Sequence, residues 1–64
     1  MGRIRRGVYV FVWWKSDHAP RHVHVYREGV LVVKWDLDHK KPMVGGAPSR
    51  LLRVLAELEE EGIL

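Results

Sequence analysis

Seven consecutive residues, Val8-Tyr9-Val10-Phe11-Val12-Trp13-Trp14, are all β-branched or aromatic. A run of this kind and length forms a strand. Side chains alternate along a strand, so Val8, Val10 and Val12 line one face and Tyr9, Phe11 and Trp13 the other. Neither face is polar. A sheet built on this strand therefore asks for cover on both sides, and the rest of the chain must be read against that demand.

Before the run lies a basic arm, residues 1–6, with Arg3, Arg5 and Arg6. Gly7 opens the first expected strand, residues 7–15. The segment KSDHAPR that follows reads as a loop, because Ser, Asp and Pro favour turns and Pro20 cannot donate to a ladder. Residues 22–26 and 30–37 are the next two strands, and their register decides which way the histidines face. A two-residue Glu28-Gly29 loop sets His24 against Val33 and His22 against Trp35, on the core stripe. A three-residue Arg27-Glu28-Gly29 loop sets Tyr26 against Val30, His24 against Val32 and His22 against Lys34. Val23, Val25, Leu31, Val33 and Trp35 then share one apolar face. A one-residue slip inverts every side chain, so the apolar set selects the three-residue form, with Gly29 at its left-handed end.

Asp38-His39-Lys40-Lys41 reads as a turn, and Pro42-Met43-Val44 as a short edge strand. Gly45-Gly46 breaks the chain before a helix over residues 49–61, with Pro48 in its first turn and Ser49 an alternative cap. Leu51, Leu52, Val54, Leu55 and Leu58 recur at helical spacing, and Gly62 ends the run. The expected fold is α+β: an antiparallel sheet of three to four strands with one C-terminal helix on one face. Such a helix is about 20 Å long and covers one face of a small sheet, leaving the other for solvent, a second subunit or a ligand.

The 64 residues hold one domain, residues 1–64. A chain this small buries only about 60% of its unfolded surface. It contains no Cys, so neither disulfides nor thiolate metal sites are available, and a homodimer is the expected support. No apolar run approaches the ~20 residues of a membrane span, and no signal peptide is evident, so a cytoplasmic, membrane-free protein is expected. Asn, Gln and Thr are also missing, which fits a thermophile's avoidance of heat-labile amides. Charge is split: residues 1–53 carry +7 and residues 54–64 carry −4, from Glu57, Glu59, Glu60 and Glu61. A basic body with an acidic tail points to an anionic partner or a neighbouring copy, and otherwise to a solvated helix face. On the helix, Arg50 and Arg53 sit near the positive end of the dipole and the Glu run near the negative end, an arrangement that Arg53–Glu57 pairing would partly offset.

Chemistry concentrates in Asp17-His18-Ala19-Pro20-Arg21-His22-Val23-His24. His22 and His24 leave the same face of a strand and can converge on one ion. With His18, and an oxygen from Asp36 or Asp17, the set suits zinc or another divalent metal with an open position for hydrolysis. The competing structural reading has these imidazoles holding the loop to the sheet. A metal-free route to RNA cleavage would use His22 or His24 as base, Tyr26 as proton donor or stacking ring, and Lys34, Arg21 or Arg27 on phosphate. Simple binding of RNA or DNA would use Tyr9, Phe11 and Trp13 as a stacking platform ringed by Arg, although strand aromatics more often form core or interface. Arg50 and Arg53 complete the expected cationic contacts to a partner or nucleic acid.

The stretch DHAPRHVHVY, then Gly29, VVKWDL and a helix near APSRLLRVLAEL, resembles the domain-of-unknown-function 4160 family of small bacterial proteins. The spacing of Asp17, His18, Pro20, His22, Val23 and His24 carries the likeness over about residues 8–61; Arg21 stands where members usually have Pro. The resemblance implies a β-rich sheet with one helix, and a gene often placed beside another small protein in the manner of toxin–antitoxin pairs. It implies no established activity. The expectation is thus a small bacterial binding module, toxin–antitoxin-like, whose basic histidine-bearing face meets a small partner protein or nucleic acid. A His-ligated metal site with hydrolytic or RNA-cleaving activity is the alternative.

Overall fold

The computed structural model describes residues 2–14 and 21–64. The first five elements are strands: β1 (Gly2–Arg6), β2 (Tyr9–Trp13), β3 (His22–Arg27), β4 (Val30–Asp36) and β5 (Lys41–Gly45). They pair in the order β1-β2-β3-β4-β5, every pair antiparallel, and a single helix, α1 (Ser49–Glu60), follows. The α+β class is as expected, but the sheet has five strands. The basic arm is the difference: its residues pair with β2 from Gly2↔Trp13 to Arg6↔Tyr9. Gly7 and Val8 form the turn rather than the start of a strand, with Gly7 at φ 63. Alternation in Arg3-Ile4-Arg5 had offered the signal, since Ile4 alone packs against the core.

The helix covers one face through Leu51, Leu55 and Leu58, which repeat at i, i+4 and i+7 and are all buried. Beneath them lie Tyr9, Phe11, Val23, Val25, Val33, Trp35 and Leu37, each no more than 6% exposed. Tyr9 and Phe11 are therefore core and Trp13 packs half-buried against it on the helix side, which removes the three as an open stacking platform. Leu52 stays 41% exposed, so the buried stripe of the helix is narrower than its leucine count implies. Pro48 stands at the N-cap in an extended conformation, and Gly62, at φ 80, ends the helix with Ile63 N–H on the Leu58 carbonyl at 3.0 Å.

The bend between β3 and β4 differs from expectation in a way that matters. It is a two-residue loop, Glu28-Gly29, with both φ positive, and Arg27 opposes Val30. A two-residue loop alone would carry the histidines into the core. A bulge corrects this: Tyr26 opposes Leu31 while Val25 opposes Val33, leaving Val32 as the extra residue. Beyond the bulge Val23 meets Trp35 in the core, and His24 opposes Lys34 and His22 opposes Asp36. The histidines leave the face away from the helix, but the bulge accomplishes it rather than the loop length. Leu31, placed in the core by the three-residue reading, is instead 41% exposed.

The acidic tail folds back on its own domain. Arg6 grips Glu61 through two bonds, at 3.0 and 3.1 Å, and Lys40 pairs with Glu59. The side-chain bond from Arg6 holds the Glu61 carboxyl below its ordinary pKa, against a smaller opposing effect of burial. The ion pairs among the described residues do not include Arg53–Glu57. The charge split is thus at least partly an internal clamp joining β1 and the β4–β5 turn to the end of α1.

Candidate binding face

On the helix-free side, cross-strand neighbours form rows. One row runs Arg3–Val12–His24–Lys34–Val44, and a second runs Arg5–Val10–Tyr26–Leu31. His22, His24, Tyr26 and Lys34, singled out from sequence as one chemical set, do come together here. Along β3 the rings of His22 and His24 lie 5.5 Å apart, and those of His24 and Tyr26 6.4 Å apart at 14°. Trp14 meets His24 edge-on at 5.1 Å. Val10, Val12 and all three rings of β3 are half-buried, whereas Val44 is 56% exposed. The result is a mixed face: aliphatic and aromatic in the middle, with Arg3, Arg5 and Lys34 supplying positive charge.

Three of the predicted cations lie elsewhere. Arg27 follows Tyr26 and so falls on the opposite face, at the exposed end of β3. Arg50 and Arg53 are exposed on α1, which packs on the other side of the sheet. Those three cannot serve one surface together with the histidines. Arg21 is engaged in structure: its N–H donates to Asp38 Oδ2 at 2.8 Å and its Nε to Asp38 Oδ1 at 3.1 Å. The Arg21 carbonyl in turn accepts the Leu37 N–H at 2.8 Å, which tethers the start of β3 to the turn after β4. These bonds, first the one from the Arg21 backbone, hold the Asp38 carboxyl below its ordinary pKa.

Asp36, proposed as an oxygen ligand, is 3% exposed and organises the same turn. Its Oδ1 accepts the N–H groups of Asp38 and His39 at 2.9 and 3.0 Å, and its Oδ2 lies 2.7 Å from His39 Nδ1. Burial acts to raise the Asp36 pKa, yet these bonds outweigh it and the net shift is downward. Among the described residues no three His, Asp or Glu side chains converge as a metal site. His18 and Asp17 lie outside the described residues. A cleft of about 270 Å³ borders the face, lined by Trp13, Trp14, Arg21, His22, Leu37 and the C-terminal Ile63-Leu64.

Sequence reasoning missed Arg3, Arg5, Trp14 and His39. The first two were legible as alternating residues of a strand, and Trp14 as the continuation of the outer face of β2. His39 lies only three residues after its partner Asp36, so the turn read at Asp38-His39 held the signal that could have found it. Among the described residues no helix is long and apolar enough to cross a membrane. No family model, curated protein or solved structure matches the chain.

Proposed function

We propose that the protein is a small cytoplasmic binding module, one half of a toxin–antitoxin-like pair, and that its helix-free sheet face docks a partner protein. The carrying observation is the two-sidedness of the sheet. One side is closed by α1, while the other presents Val12, His24, Tyr26, Leu31 and Val44 inside a set of cations. Apolar and aromatic centres bordered by Arg are the composition of protein interfaces. The likeness to the domain-of-unknown-function 4160 family supports the paired setting, since its members often sit beside a second small gene.

The test is co-expression with the products of the flanking reading frames, with complex mass measured by light scattering. A complex of defined mass is expected for the wild type and is lost in Val12→Glu/Leu31→Glu, whose circular dichroism alone stays that of the folded protein. No complex with any flanking product, or one the double variant retains, overturns the reading.

A second reading is favoured by the ring series on β3 beside Arg3 and Lys34: the face would bind single-stranded RNA, stacking bases on Tyr26 and neutralising phosphate with Arg3, Arg5 and Lys34. Three phosphate contacts predict a log–log salt slope of about −2 for a labelled oligonucleotide. A flat response removes nucleic acid. Cleavage of that RNA, lost in His24→Ala, would extend binding to catalysis.

A further inference from the structure

The two border strands of the sheet are unlike. β5 contains Pro42, which has no N–H to offer, and its pairing with β4 is interrupted between Lys34 and Trp35. Proline and bulges are devices that stop an edge from accepting another strand. β1 has neither, and its register with β2 is unbroken. Its turn is two residues long with Gly7 at positive φ, so Arg6–Tyr9 is the closing hydrogen-bonded pair. Alternation then makes Ile4–Phe11 and Gly2–Trp13 the next such pairs. The N–H and C=O groups of Arg3 and Arg5 consequently point away from β2, where no other described strand lies.

The side chains of the same two residues are exposed on the helix-free face. Among the described residues Arg5 Nε donates only to the Gly7 carbonyl, at 3.3 Å, and neither guanidinium meets a carboxylate. Arg6, by contrast, is engaged by Glu61. A second copy of β1 laid antiparallel would set arginine against arginine, and like charges directly opposite destabilise a ladder. Nor can a second copy offer its own acidic run, since Glu57 to Glu61 belong to α1 and its C-cap, with Leu58 fully buried.

We propose that the open edge of β1 takes an extended acidic segment of a partner protein as a sixth strand. The segment reads acid–apolar–acid: two carboxylates opposite Arg3 and Arg5, and between them an apolar side chain opposite Ile4, which packs on the core. This rests on the partner-protein reading above and names the chemistry of that partner. Backbone bonds supply the attachment and the two charge pairs supply the selection.

The probe is a labelled seven-residue peptide alternating Glu and Val, followed by fluorescence anisotropy at low salt. Binding is expected to weaken about tenfold or more in Arg3→Glu/Arg5→Glu. It returns for that variant when the peptide carries Lys in place of Glu. Arg3→Ala/Arg5→Ala gives an intermediate loss, which guards against a folding defect in the reversed variant. Amide exchange at Arg3 and Arg5 slows in the wild-type complex. No binding to the wild type, equal binding to the reversed variant, absence of rescue by the Lys peptide, or protection confined to other strands overturns the inference. A flanking-frame complex that survives Arg3→Glu/Arg5→Glu sinks the edge site but leaves the partner reading standing. Absence of any flanking-frame complex sinks the partner reading instead.

Discussion

Phe11 and Val12 are adjacent on one strand yet face opposite sides of the sheet, so truncating each to Ala measures whether the helix-free face is open. Phe11 is fully buried among core residues under α1. Phe→Ala in such a site costs about 3–5 kcal/mol, from lost transfer energy and the cavity left behind. Unfolding entropy of about 2.1 cal/mol/K per residue over 64 residues gives about 0.13 kcal/mol/K, so each kcal/mol moves Tm by about 7 °C. Phe11→Ala should therefore lower Tm by about 20–35 °C, which leaves little folded protein in a domain this small. Val12 is only half-buried, and losing two methyls there costs about 1 kcal/mol or less, about 7 °C at most. Thermal unfolding followed by circular dichroism at several protein concentrations gives both numbers. If Val12→Ala costs as much as Phe11→Ala, and wild-type Tm climbs with concentration, a second copy already covers the face and the reasoning from an open surface fails.

Three further outcomes are expected. Gly45 sits at φ 78 with its missing Cβ position 2.3 Å from the Val32 carbonyl oxygen, so Gly45→Ala must displace backbone at the β4–β5 edge; its urea midpoint should fall clearly, whereas Gly46→Ala, with open space at that position, should move it little. Asp36 and Asp38 titrate below the ordinary carboxylate range in the folded state, so the stability they contribute is present above about pH 4 and is lost as pH falls through their folded values. A Tm series from pH 6 to pH 2 should show that decline, and Asp38→Asn should flatten it; an unchanged acid limb would refute the assignment. Elemental analysis of purified protein should find no stoichiometric zinc under the partner reading, while zinc present at one equivalent and lost in His22→Ala/His24→Ala would establish the metal alternative.

Much of the architecture is written in local pattern. Most of the β-branched and aromatic run, Tyr9 to Trp13, is a strand as its residue types dictate, Leu51, Leu55 and Leu58 mark one face of a helix, and the HVHVY alternation committed Val23 and Val25 to one side and the histidines to the other. These follow from side-chain period, which each segment carries by itself. Which aromatic face of β2 meets the helix, how Arg3 and Arg5 join the sheet, and how Glu59 and Glu61 are neutralised required the assembled fold, because each depends on a partner distant in sequence. The bulge at Val32 is the sharpest case. Sequence patterning demanded that the valines be buried, but only the closed sheet, with a tight Glu28-Gly29 turn on one side and Trp35 needing Val23 on the other, decided where the extra residue would go.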